Sequence, residues 1–356
     1  MTQAGHGAVR ALLDNGLHHF QHGPIDLIIG VDGEPACVRA GLEAAWQRFG
    51  NILPELVTEL PQLRRPVGEW ARHSTPATCV AGAALASPVS SRQAQAGDMP
   101  DIPFQTPVAQ RMGRACWPYR HGFVTAMAAV AGSVADEILQ TILAVAPNLR
   151  RVFVNNGGDI ALYLAPEETY NVGLVSNIDQ VRVMASAASP ALGNAAGVHA
   201  LAQSQKAAAQ GMAEPIIAPD GTLTVHAAQG IGGIATSGWR GRSFSLGIAD
   251  SVTVLAATAA QADVAATLIA NQVNADHPAI VRAPANTLKD DTDLGDRRVT
   301  VDVGPLPEII IRQALTHGAQ LARQWQADGL ILGAVLMLQG HVEAVLPATA
   351  PHRHVA

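Results

Sequence analysis

Three short stretches carry side chains suited to chemistry. Asp263 and Thr267 stand four residues apart, a spacing that puts both on one face of a helix. A carboxylate and a hydroxyl are hard oxygen donors of the kind that hold Mg²⁺; the plainer alternative is a polar helix face. Asn155-Asn156-Gly157-Gly158-Asp159 offers two glycines where backbone amides can approach a ligand, with Asp159 to bind a polar edge. Asn-Gly between two apolar strands is equally the favoured hairpin turn. Thr236-Ser237-Gly238-Trp239-Arg240-Gly241-Arg242-Ser243 mixes hydroxyls with two guanidiniums, which grip carboxylate or phosphate through paired donors. A flexible exposed loop would have the same composition.

Weaker signals surround these. Trp117-Pro118-Tyr119-Arg120-His121-Gly122 sets a cation beside a group that titrates near neutrality, fit to bind an anion or move a proton, or simply to form a surface turn. Ser243-x-Ser245-x-Gly247 approaches the GxSxG nucleophile motif but lacks its first glycine. It also precedes a strand rather than a helix, which argues against a hydrolase elbow. Gly230-x-Gly232-Gly233 is not the dinucleotide-binding GxGxxG. Zinc finds neither an HExxH pair nor a CxxC pair.

The elements that must position these residues alternate between strand and helix patterns. Residues 24–32 read as a strand turning at Asp32-Gly33. A helix over 34–50 follows, and then a second one carrying Leu53, Leu56, Leu60 and Leu63, loosened by Pro54 and Pro61. Residues 87–108 hold prolines among polar residues and read as a loop. Residues 122–145 form a small-residue apolar block with Asp136 inside. Its helix is expected to start at Ser133, whose hydroxyl would cap the amide of Asp136. Two strands flank Asn156-Gly157 over 151–164, and Asp250–Leu255 is a buried strand. Thr258 and Gln261 make a T-x-x-Q capping box opening a second Ala-rich helix over 258–271. A strand at 298–303, a helix near 306–328 and a strand pair over 330–346 close the domain. Residues 183–214 read as an insertion or mobile segment, and 347–356 as a disordered tail. Val134-Ala135-Asp136 and Gln261-Ala262-Asp263 occupy corresponding places in the two Ala-rich helices, which suggests an internal duplication of a two-lobed single domain over 1–346.

Bulk properties narrow the function classes. The chain has 356 residues, 48% apolar but only 4% aromatic, so its core must rely on closely packed small side chains. The net charge of -6 comes with no basic stripe, which argues against nucleic-acid partners. Cys37, Cys79 and Cys116 are widely separated, so no disulfide framework is expected. With no evident signal peptide and no uninterrupted membrane-length apolar run, the expected setting is cytoplasmic and away from the membrane. The Ala-rich apolar composition suits a homodimer.

Taken in order, the motifs resemble the ApbE-like superfamily, the fold of the flavin-attaching transferases. Val130–Asp136 resembles its I-A-K-G-x-A-x-D helix start, and Asn155–Ile160 its N-x-G-G-D-I strand end. Thr236-Ser237-Gly238 matches its T-S-G, Ser251–Val254 its S-V-T-V, and Ala262–Thr267 its A-D-x-x-A-T. The resemblance implies an α+β fold, with mixed T-fold-like sheets and Ala-rich helices packed on them, and it makes Mg²⁺ or FAD the cofactors to consider. The departures are specific. Ala131 stands where the family has lysine, and Arg242–Asp250 replaces the family's H-I-x-D-P-x-T-G loop, so its histidine is missing.

The resulting expectation is an enzyme that keeps the ApbE-like cleft and transforms a small anionic or heteroaromatic metabolite. Its catalytic groups would be Asp159, Ser237, His121 and Asp136. Arg120, Asn156, Gly157, Gly158, Thr236, Gly238, Arg240, Arg242, Ser243 and Ser245 would bind the substrate, and Asp263 with Thr267 a metal. Two alternatives stay open: a divergent Mg²⁺-dependent FMN transferase or FAD hydrolase, and a non-catalytic metabolite-binding protein linked to sulfur or methionine metabolism.

Overall fold

The computed structural model describes residues 2–4, 7–73, 102–174 and 221–347. Cys79, the 183–214 segment, most of the 87–108 loop and residues 348–356 of the expected tail lie outside these. The strands are β1 (Thr2–Ala4), β2 (Ala8–Leu12), β3 (His18–His22), β4 (Ile25–Gly33), β5 (Leu149–Asn156), β6 (Asp159–Leu164), β7 (Thr169–Leu174), β8 (Gly221–His226), β9 (Gly233–Ser237), β10 (Ser251–Ala256), β11 (Ile280–Pro284), β12 (Arg298–Val303), β13 (Gly333–Leu338) and β14 (His341–Val345). The helices are α1 (Pro35–Leu63), α2 (Val67–His73), α3 (Pro107–Cys116), α4 (Val130–Val145), α5 (Ala259–Gln272), α6 (Ala285–Leu288) and α7 (Glu308–Ala327).

Ten strands form one sheet in the order β1-β2-β3-β4-β5-β6-β9-β10-β13-β14, with every neighbouring pair antiparallel. The pleat of β4 explains how the sheet serves two cores, because alternate side chains face opposite sides. Leu27 and Ile29 point into the main core, under the helices. Ile28 points into a smaller one with Phe153, Leu162, Val172 and Val225, beneath the separate β7–β8 hairpin. β10 is buried along its whole length, including Ser251 and Thr253, which alternate with Val252 and Val254 and are buried beside them.

Two sequence expectations change here. Residues 35–63 are one helix, not two. Pro54 and Pro61 each forgo a backbone bond, a cost of up to roughly 3 kcal/mol in a helix interior. The buried stripe of Trp46, Phe49, Ile52, Leu56 and Leu63 runs through both prolines and holds the helix together. The helix expected to start at Ser133 starts instead at Val130, after a 3₁₀ turn over Ala126–Ala129. Ser133 lies inside it, fully buried, and its hydroxyl has no hydrogen-bond partner. The start is set from outside: Asp263 of α5 accepts a 2.9 Å bond from the Gly132 amide. By composition Ala126–Val145 is long and apolar enough to cross a membrane, but it packs against α1, α3, α5 and the sheet. Within it Glu137 pairs with Arg48 at 2.7 Å and Arg111 at 3.1 Å.

The Ala-rich composition of α5 has a packing purpose. Ala259, Ala260, Ala262, Ala265, Ala266 and Ala270 are all buried, and α4 crosses its start at Gly132, where an added Cβ would sit 2.2 Å from the Ala259 carbonyl oxygen. Only glycine admits that approach. The amides of Ala259 and Ala260, at the N-terminus of α5, donate to the Asp136 carboxylate of α4 at 3.0 and 2.9 Å. Each helix thus caps the other through one aspartate, Asp136 in one direction and Asp263 in the other. Thr258 supplies the forward half of the capping box, accepting from the Gln261 amide at 3.3 Å.

Candidate functional site

A cleft of about 370 Å³ opens where the α4 start, the α5 face, the β5–β6 turn and the β9–β10 loop converge. The turn is a tight one: Asn156 pairs with Asp159, and Gly157 and Gly158 adopt φ of 67° and 118°, values an L side chain rarely takes. Asn155 braces it by accepting the Gly158 amide at 2.8 Å. The turn therefore delivers Asp159, the first residue of β6, into the cleft beside Thr236, Ser237 and Gly238 at the end of β9. One helical turn separates Asp263 from Thr267 on α5, and both line the same wall.

Two carboxylates in one partly desolvated space perturb each other. Burial pushes the Asp159 carboxyl well above the usual range, against the lowering effect of the Thr236 amide and the Arg242 charge. Burial also raises Asp263, and the Asp159 charge adds to it, opposed by the Gly132 and Ala131 amides. Burial makes ionisation costly and like charges make double ionisation costlier still, so this pair holds a proton into the neutral range. Arg242 answers the charge: its guanidinium lies over the turn, where a Cβ on Gly157 would fall 1.6 Å from its Nη2. The glycine makes room for the arginine.

Of the expected site residues, Asp159, Asp263, Thr267, Thr236, Ser237, Gly157, Gly238, Arg242 and Ser243 share this cleft. The others stand apart from its lining. Asp136 is a buried cap for α5, with its carboxyl pushed up to about 6 by burial despite the Ala260 and Ala259 amides. Asn156 is buried and donates to the Ala131 carbonyl at 3.1 Å, while Gly158 only shapes the turn. Arg120 donates to the Trp117 carbonyl and lies 4.5 Å from that ring's centre, and His121 is exposed on the same surface turn. Arg240 stacks on Trp239 and pairs with Asp250 at 3.5 Å. Ser245 is buried against Asn271. Asp136, Asn156, Arg120, Arg240 and Ser245 are occupied by local partners, a competition that composition alone does not reveal.

Sequence reasoning passed over several lining residues. Phe123, Val124, Thr125 and Met127 form part of the wall, and Asn271, one turn beyond Thr267, extends the α5 face. The 123–127 signal was present, since it abuts the first motif, but nothing in it is chemically distinctive. Lys289, Asp291, Thr292, Asp293 and Leu294 come from the β11–β12 hairpin, some twenty residues beyond the last matched motif, and only folding brings them to the site.

The N-G-G-D turn, the T-S-G strand end and the A-D-x-x-A-T helix face, the motifs by which the sequence resembles the ApbE-like superfamily, thus meet on one cleft. More particularly, the chain belongs to the family described as AbpE bacteria, whose model matches residues 10–100, 83–204 and 194–344. Among solved structures it is similar to the ApbE protein of Thermotoga maritima, with 12% identity and a TM-score of 0.40 over 95% of this chain and 96% of that one. Among curated proteins, none matches.

Proposed function

We propose that this cleft binds and transforms a small metabolite with an anionic or heteroaromatic part, through chemistry other than standard FMN transfer. The observation that carries the reading is the raised carboxyl pair of Asp159 and Asp263 facing one cleft beneath Arg242. Perturbed carboxyls in a cleft are a recurrent mark of functional sites. A carboxyl that keeps its proton into the neutral range is suited to give or take one during a reaction.

The donor set also fits a divalent cation. Asp263 and Thr267 offer hard oxygens on one wall, and a cation there would lessen the repulsion that Asp263 feels from Asp159. Such an ion, when bound, would neutralise charge on a phosphate or carboxylate. In this reading Arg242 at the mouth orients the anionic end, and the Thr236 and Ser237 hydroxyls fix its depth. Phe123, Phe244 and Leu246 supply an apolar wall for a flat ring. Asp159 holds or moves the proton.

Two features separate the reading from flavin transfer. Ala131 offers no ammonium where the family lysine stands, and Asp250, the only acidic residue of the altered loop, is engaged by the Gln339 amide at 2.6 Å and the Trp239 indole at 3.3 Å. The test is a binding screen of phosphorylated and carboxylated metabolites, with and without Mg²⁺, on wild type and Asp159→Asn. A hit should be bound by both and turned over by wild type alone. A panel in which Asp159→Asn turns over every substrate at the wild-type rate would sink the assignment.

A further inference from the structure

The β11–β12 hairpin forms its own two-stranded sheet, outside the main one, and its tip forms part of the cleft wall. At its base it is bound firmly: the Thr300 amide donates to the Ser245 carbonyl at 2.8 Å and the Thr300 hydroxyl to the Gly247 carbonyl at 2.7 Å. Ser245 is therefore a mount for the hairpin. At the tip the backbone bonds close within the hairpin itself, Asn286 to Gly295 and Ala285 to Arg297, both at 2.9 Å.

What fastens the tip across the cleft is a set of side-chain contacts on one landing pad. Arg64 makes a two-pronged ion pair with Asp291. The Thr125 hydroxyl donates to Asp293. Arg297 lies over the Phe123 ring, 3.5 Å from its centre. The pad is a unit because Pro66 and Thr125 are bridged as short strand partners and the Val67 amide donates to the Val124 carbonyl at 2.8 Å. The Asp291 side chain is 68% exposed and that of Arg64 29%, so the main fastener is open to water and salt.

We propose that the 285–297 tip is a lid on the cleft, hinged at Thr300 and latched by the Arg64–Asp291 pair and the Thr125–Asp293 bond. Among the described residues no backbone bond ties the tip to the body, so opening requires only an exposed ion pair, one hydroxyl bond and the Arg297–Phe123 contact to part. When open, it withdraws Lys289, Asp291 and Asp293 from the cleft wall, and when shut it restores them. The lid presupposes that the cleft is the ligand site, but the test reads the lid itself.

Hydrogen exchange on the full chain is that test. Arg64→Ala should speed amide exchange across 287–294 about threefold at low salt, the scale an exposed ion pair supports. Adding Thr125→Val should bring this to about tenfold, since a second hydrogen bond of ordinary strength is lost, while α4 and α5 exchange as in wild type. In wild type, about 1 M salt, which shortens the screening length to about 3 Å, should reproduce most of the Arg64→Ala effect and add little to that variant. As a second readout, a Thr267→Cys cleft reporter should react with iodoacetamide faster in the latch variants by the same factor as the tip exchange. Tip exchange unchanged in both variants would overturn the latch. Faster tip exchange with unchanged labelling at position 267 would overturn the gating, and so would loosening of α4 and α5 in step with the tip. A cleft that binds no metabolite would leave every one of these readouts intact, so the lid and the proposed function fail separately.

Discussion

Asp136 is the residue whose assignment the structure moves furthest, from acid or base to helix cap, and the pH dependence of stability distinguishes the two. Burial raises its carboxyl from the ordinary 3.8 to about 6. Between those values the folded protein retains a proton that the unfolded chain has lost. The contribution of Asp136 to stability therefore falls as pH rises from about 4 to about 6 and is level above that, because at this site the unfolded state binds fewer protons throughout the window. At 1.36 kcal/mol per pH unit the fall amounts to about 3 kcal/mol. Asp136→Asn removes this titration but leaves one of the Ala259 and Ala260 amides without its acceptor, a loss of about 1–2 kcal/mol. The variant should thus be less stable than wild type near pH 4, and the gap should close or reverse by pH 7.5. Urea unfolding followed by tryptophan fluorescence at both pH values measures it. A gap that stays constant or widens with rising pH would refute the buried-cap account, and with it the separation of Asp136 from the cleft.

Two further outcomes follow from particular contacts. Gly132→Ala forces a methyl to within 2.2 Å of the Ala259 carbonyl oxygen; because the obstacle is backbone, the helices must part, and calorimetry should show a loss of about 3 kcal/mol together with loss of the Asp263 bond. Incubation with FAD and Mg²⁺ should yield neither FMN nor AMP above background by chromatography, since the loop that replaces the family's histidine motif turns Asp250 toward Gln339; release at enzymatic rates would restore the flavin-nucleotide reading.

Much of the architecture was legible because it rests on local rules. The glycines after Asn156 announced a tight turn, although it falls on Gly157-Gly158, one residue beyond the expected Asn156-Gly157, and Thr258 capped its helix. The lining residues Asp159, Thr236, Ser237, Asp263 and Thr267 were reachable because short motifs fix their geometry within a few residues. The rest was written in contacts between distant segments. Nothing near Ser133 shows that Asp263 will set the helix start, and nothing near Pro54 shows that a continuous buried stripe will outweigh its cost. Arg240, Arg120 and Arg242 look alike in sequence; Asp250 and two indole rings hold the first two elsewhere, and only Arg242 finds a glycine to lie over. In the hairpin tip the sequence offers only Leu294-Gly295-Asp296, which resembles one ApbE-like branch but names no chemistry, and the tip's place in the cleft depends on a pad built from Arg64 and Thr125.

The central claim is that the Asp159–Asp263 cleft is where this protein meets its ligand. The most direct measurement is native mass spectrometry of wild type, Asp263→Asn and Arg242→Ala after each is exposed to the same extract of small metabolites. Wild type should retain a small anionic or heteroaromatic molecule that both variants release, at unchanged folded mass. A molecule retained equally by all three would place binding elsewhere and contradict the account.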